Sequence, residues 1–127
     1  MYPVVHFEIP VDDIDRARGF YTEVFEWDVE EMPMGDGIYT SVITAQGDGG
    51  SGGINGAIID RDEILVDPII TIEVPLIEAH LERVEAAGGS TAVPIGEIPH
   101  TGRYAYFTDT EGNVLGLWES IEPAPSH

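Results

Sequence analysis

"HFEIP", His6 to Pro10, and "TIEVP", Thr71 to Pro75, are nearly the same phrase written twice. In each, apolar and polar residues alternate. Phe7 and Ile9 stand against His6 and Glu8, and Ile72 and Val74 against Thr71 and Glu73. A period of two marks a strand with one face in a core and the other face polar. A stretch of helical period follows each phrase. After the first, Ile14, Ala17, Phe20, Tyr21, Val24 and Phe25 fall on one helix face, with Asp12 or Asp13 placed to cap the start. After the second comes "LIEAHLERVEAAGG", an amphipathic helix stopped at Gly88.

The remaining segments repeat in the same order. Trp27–Met32, Ile38–Ala45 and "INGAII" (Ile54–Ile59) read as strands after the first helix, with the loop "QGDGGSGG" before the last of them. Ser90–Ile95, Arg103–Thr108 and Val114–Ser120 read as strands after the second, with the turn "DTEGN" before the last. The chain is therefore βαβββ followed by βαβββ. Aligning the opening strands sets His6 on Thr71, and aligning "GGINGAI" (Gly52–Ile58) with "GNVLGLW" (Gly112–Trp118) sets Gly56 on Gly116. A duplicated module accounts for both matches. The expected organisation is a first module at residues 1–60, a charged linker at 61–67, a second module at 68–120 and a tail at 121–127.

Charge narrows the function classes. The 127 residues carry 24 acids against five bases, all Arg, a formal net charge of −19. Such a surface repels nucleic acid and anionic membranes. The acids are spread along the chain rather than gathered in an arm, the pattern of a surface adapted to high salt. A mimic of a polyanion, or a module for a basic partner, is the rival reading of the same charge. With 43% hydrophobic residues the chain can bury a core, and with no Cys it has no thiolate and no disulfide. No apolar run is long enough to span a bilayer and no basic leader precedes an apolar stretch, so the expected location is the cytoplasm.

Four stretches together carry a family likeness: "VVHFEIPVDD…ARGFYTEVFEW" (Val4–Trp27), "GGINGAI" (Gly52–Ile58), "RVEAAGG" (Arg83–Gly89) and "GRYAYFTDTEGNVLGLWE" (Gly102–Glu119). In these the chain resembles the vicinal oxygen chelate superfamily, which includes glyoxalase I, bleomycin-resistance proteins and extradiol dioxygenases. It is most similar to the branch described as glyoxalase-related predicted enzymes. The resemblance implies an α+β fold of two tandem βαβββ modules, whose curved mixed sheets surround a shared concave cleft with helices on their convex backs. It also implies a small-molecule ligand and a homodimer.

Alternation assigns the faces. Phe7 and Ile9 should lie under the first helix, and Ile70, Ile72 and Val74 under the second, leaving His6, Glu8, Thr71 and Glu73 on the concave side. Tyr104, Tyr106, Gly116 and Trp118 join them there. His6 with Glu8 is the candidate catalytic pair, the carboxylate steering the imidazole tautomer. Thr71, Glu73, Tyr104, Tyr106 and Trp118 are candidate ligand contacts, and Arg103 a candidate anchor for an anionic group. A satisfied buried pair, space-filling rings and a surface ion pair are the structural alternatives for the same residues. His80 reads as an exposed helix residue, and His100 lies in a loop at the cleft mouth.

In metal-dependent members of the superfamily, the ion is held from the first and last strands of each module. Carried over, those positions are His6, Gly56, Thr71 and Gly116, and only His6 is a strong ligand. No metal is expected. The alternative is a divalent metal moved along the strands to His6, Glu8 and Glu73, serving a lyase, isomerase or dioxygenase. A third reading is a dimeric accessory module without catalysis.

Overall fold

A computed structural model describes residues 1–34, 37–44 and 53–120. Its elements are β1 (Val4–Val11), α1 (Ile14–Phe25), β2 (Asp28–Met34), β3 (Gly37–Ile43), β4 (Gly56–Asp60), β5 (Ile69–Glu73), α2 (Ile77–Ala86), β6 (Ser90–Ile98), β7 (Gly102–Thr108) and β8 (Val114–Ser120). This is βαβββ twice, an α+β fold. Most of the Gln46–Gly53 loop and the 121–127 tail lie outside the described residues. Among the described residues no helix is long and apolar enough to cross a membrane.

The chain divides into two compact units, Val5–Ile69 and Ile70–His127 together with Met1–Val4. In the first unit the strand order is β2-β3-β4-β1. The β1/β4 pair is parallel and the other two pairs are antiparallel. Helix α1 starts where Asp13 accepts the Arg16 backbone N–H at 2.9 Å, so of the two candidate caps Asp13 is the one used. It ends at Glu26, a non-glycine residue in the left-handed region at φ 60. Beneath the helix the aromatic rings gather: Trp27 stacks on Tyr21 at 4.9 Å and meets Phe7 and Phe25 at 5.8 Å each. Val42, Ala57 and Ile58 are buried in β3 and β4. The apolar stripe of α1 is wider than its cover, so Phe20, Val24 and Phe25 remain exposed.

In the second unit the order is β5-β8-β7-β6, again with one parallel pair, β5/β8. Its core is Val74, Ile77, Ala105 and Leu117, packed against Ile72, Leu81, Ile95 and Phe107. Burying side chains of this size is worth about 2 kcal/mol each. Ile70 does not lie under α2 as alternation predicts. It is 45% exposed, because the helix begins only at Ile77 and packs over β6, β7 and β8. The glycine stop is used: α2 ends at Ala86 and Gly88 takes φ 106. His80 is half-buried rather than exposed, with the Tyr2 ring edge-on to it at 4.6 Å.

Proline explains the irregular edges. Strand β6, at one end of its sheet, shifts register between Val93 and Gly96, around Pro94. Pro94 has no N–H to give the ladder, and an end strand tolerates that loss. Strand β2, at one end of its own sheet, carries Pro33 with Asp28, Glu30 and Glu31, residues that discourage pairing with another chain.

Candidate functional site

In the first unit, β1 presents His6 and Glu8 on the face away from the Phe7 ring and its aromatic cluster. The ladder runs Glu8, Ala57, Ser41 across β1, β4 and β3, which places Tyr39, two residues before Ser41, on this same polar face. The Tyr39 hydroxyl stands 3.4 Å from His6 Nε2, and Glu8 Oε2 is 3.9 Å from the same nitrogen. The second distance is a Coulomb contact rather than a hydrogen bond. When Nε2 accepts from Tyr39, the imidazole proton resides on Nδ1.

Burial sets the charge states. It lowers the pKa of His6 from 6.5, which keeps the ring neutral at neutral pH. It raises that of Tyr39 to about 12, aided by the Glu8 carboxylate, so the phenol stays protonated. The result is a neutral acceptor beside a protonated donor. Tyr39 was not among the residues singled out in the sequence. Its parity within "GIYTSVI" was the available signal, but nothing local says that the ring reaches His6.

In the second unit the polar face carries two rows. Glu73, Trp118 and Tyr104 pair across β5, β8 and β7, and Thr71, Gly116 and Tyr106 form the next row. Tyr104 and Tyr106 meet edge to face at 6.1 Å. Glycines let the rings lean over the sheet. A Cβ on Gly96 would stand 2.4 Å from the Tyr104 ring, and one on Gly102 would stand 2.5 Å from the Trp118 indole.

Arg103 does not join this face. It alternates with Tyr104 and lies on the side of Ala105, toward α2, where Glu78 takes its guanidinium at 2.6 and 2.8 Å and Glu119 at 2.7 Å. Those bonds hold Glu78 down at a pKa of about 2. Glu119 also accepts the Ile77 backbone N–H at 2.9 Å, capping a helix whose own cap residue, Leu76, has no side-chain acceptor.

The register corrects one carried-over metal position. Thr71 pairs with Gly116, but Phe7, not His6, pairs with Gly56. Gly56 therefore lies on the aromatic side, where a Cβ would stand 2.6 Å from the Phe7 ring. The residue on the His6 face is Asn55, whose Oδ1 accepts the Thr44 N–H at 2.9 Å. The donor set still does not fit the superfamily's metal. The first unit offers one imidazole and an amide already engaged by backbone. In the second, Thr71 Oγ1 lies 2.8 Å from the place a Gly116 Cβ would take, so that row has no strong ligand. Among the described residues no group of three or more His, Asp or Glu stands within reach of one ion.

Comparison with known proteins agrees with this architecture. Residues 4–42 match the family of bleomycin resistance protein-like N-terminal domains. The chain is 30% identical over 114 residues to a glyoxylase-like domain-containing protein of Didymella fabae, covering 87% of this chain and 88% of that one. It is 27% identical over 124 residues to "Putative glyoxylase CFP32" of Mycobacterium tuberculosis, covering 89% of this chain and 44% of the relative. It thus spans under half the length of those mycobacterial relatives. The methylmalonyl-CoA epimerase of Mycobacterium tuberculosis shares the fold at a TM-score of 0.63 and 18% identity, over 96% of this chain and 88% of that one. The chain belongs to the vicinal oxygen chelate superfamily, among its glyoxylase-like members.

Proposed function

We propose that this chain binds a small organic molecule, and acts on it by acid–base chemistry, without the metal centre of its superfamily. The observation that carries the reading is the neutral His6 imidazole, with the protonated Tyr39 hydroxyl at 3.4 Å and the Glu8 carboxylate at 3.9 Å, in a module with no second strong metal ligand at its superfamily positions. In this reading the bound molecule takes over the Tyr39 hydroxyl proton from His6: Tyr39 donates to the ligand oxygen that gains charge, the freed Nε2 of His6 takes a proton from the ligand, and Glu8 stabilises the imidazolium that results.

An epimerase of the same fold is known in complex with methylmalonyl-CoA, a polyanion. All five Arg of this chain are placed elsewhere. Arg18 pairs with Glu31 and Asp15, Arg61 with Asp12, and Arg103 with Glu78 and Glu119. Arg16 and Arg83 ride exposed positions of α1 and α2. An acyl-CoA is therefore not the ligand proposed. A homodimer in the cytoplasm of a salt-adapted cell completes the proposal, supported by the family likeness and by the charge of −19.

Isothermal titration of metal-free protein with Zn, Ni, Mn and Co salts tests the reading. The expected result is no tight binding that depends on His6. Micromolar binding of any of these ions that disappears in His6→Ala would sink it.

A further inference from the structure

We infer that the polar face of the second unit's sheet is a binding site for an organic cation, an alkylated ammonium group seated on Trp118, Tyr104 and Tyr106 and neutralised by Glu73. The inference rests on the small-molecule reading above and specifies the class of ligand.

The ladder sets the Glu73 carboxylate beside Trp118 and Trp118 beside Tyr104, with Tyr106 one row away. The indole comes against Gly102, the Tyr104 ring against Gly96, and the Tyr104 and Tyr106 rings meet at 6.1 Å, so three rings share one face of the sheet. Among the described residues no guanidinium pairs with Glu73, and the chain has no Lys that could do so. A carboxylate next to electron-rich ring faces favours a cation.

The kind of cation follows from the same residues. A hard metal ion needs six or more oxygens or a cluster of strong donors, and this face supplies one carboxylate and hydroxyls. An alkylated ammonium is weakly hydrated, loses little on leaving water, and gains contact with every ring it touches. An anion meets only repulsion here, since no base lies on the face.

The test uses the Trp27→Phe protein, in which Trp118 is the single tryptophan and reports directly on its own face. Its fluorescence is titrated with choline and with dimethylbutanol, the uncharged isostere in which carbon replaces the choline nitrogen, in concentrated KCl. Choline should give a saturable change, and the isostere should bind about tenfold more weakly. Glu73→Gln, tested in the same background, should remove most of that preference while dimethylbutanol binding stays as it was. Equal affinity for the two compounds overturns the cation assignment and leaves the small-molecule reading standing, with a neutral ligand. A preference that survives Glu73→Gln also overturns it, as does the absence of a saturable response to choline and to benzyltrimethylammonium. The metal titration with His6→Ala judges the underlying reading separately.

Discussion

Glu119 ties the second helix to the last strand, and its removal should have a cost that its neighbour Glu78 does not share. Its Oε1 accepts the Ile77 N–H at 2.9 Å and an Arg103 N–H at 2.7 Å, and its side chain is 19% exposed. Ile77 itself is fully buried, so water cannot replace the lost acceptor at its amide. Losing a helix cap costs about 1 kcal/mol. Losing the charged bond to Arg103 adds about 1 kcal/mol more, at the low end for such bonds because Arg103 keeps Glu78 and is partly solvated. Glu119→Ala should therefore destabilise the protein by about 2 kcal/mol. Glu119→Gln keeps an oxygen for the cap and should cost about half as much. Glu78→Ala removes an exposed, solvent-screened pair and should leave stability close to that of the wild type. Urea unfolding at fixed KCl and neutral pH measures all three, provided the slope is unchanged. If Glu119→Ala and Glu78→Ala prove equally mild, the idea of a cap supplied across the fold is refuted.

Two further outcomes follow from charge. Because the folded pKa of His6 lies below 6.5, the unfolded chain binds more protons as the pH falls from 6.5 toward that value, and stability declines over that window. Comparing wild type with His6→Gln in pH-dependent urea melts should show this component in the wild type alone. The depressed carboxylates Glu78, Asp62 and Asp109 act separately, stabilising above their ordinary values of 4.5 and 3.8 and losing that contribution at lower pH. With 24 acids against five bases, raising KCl should raise the melting temperature steeply up to molar salt, where the screening length is about 3 Å. A melting curve that is high and flat from dilute buffer onward would count against salt adaptation.

Much of this architecture is local and could be read along the chain. Alternation in "HFEIP" and "TIEVP" is set by strand geometry, so the two polar faces, with His6 and Glu8 in the first unit and Thr71 and Glu73 in the second, follow from parity alone. The helical stripe under Tyr21, the Asp13 cap and the stop at Gly88 also depend only on residues within a turn or two. The doubled βαβββ order required nothing beyond those patterns.

What parity cannot provide is register and reach. Two glycines, Gly56 and Gly116, look equivalent in the sequence, yet one pairs with Phe7 and the other with Thr71, because the intervening loops differ in length and only packing fixes which rungs meet. Tyr39 reaches His6 across 33 residues, and Glu119 caps α2 across 42. For Arg103 the sequence leaves an anion anchor and an ion pair both open, and the structure pairs it with two carboxylates on the helix side. The sequence alone determined the elements and their faces, since backbone geometry acts over a few bonds. Which side chains converge was decided only by the tertiary structure, because long side chains find their partners after distant strands have been brought into line.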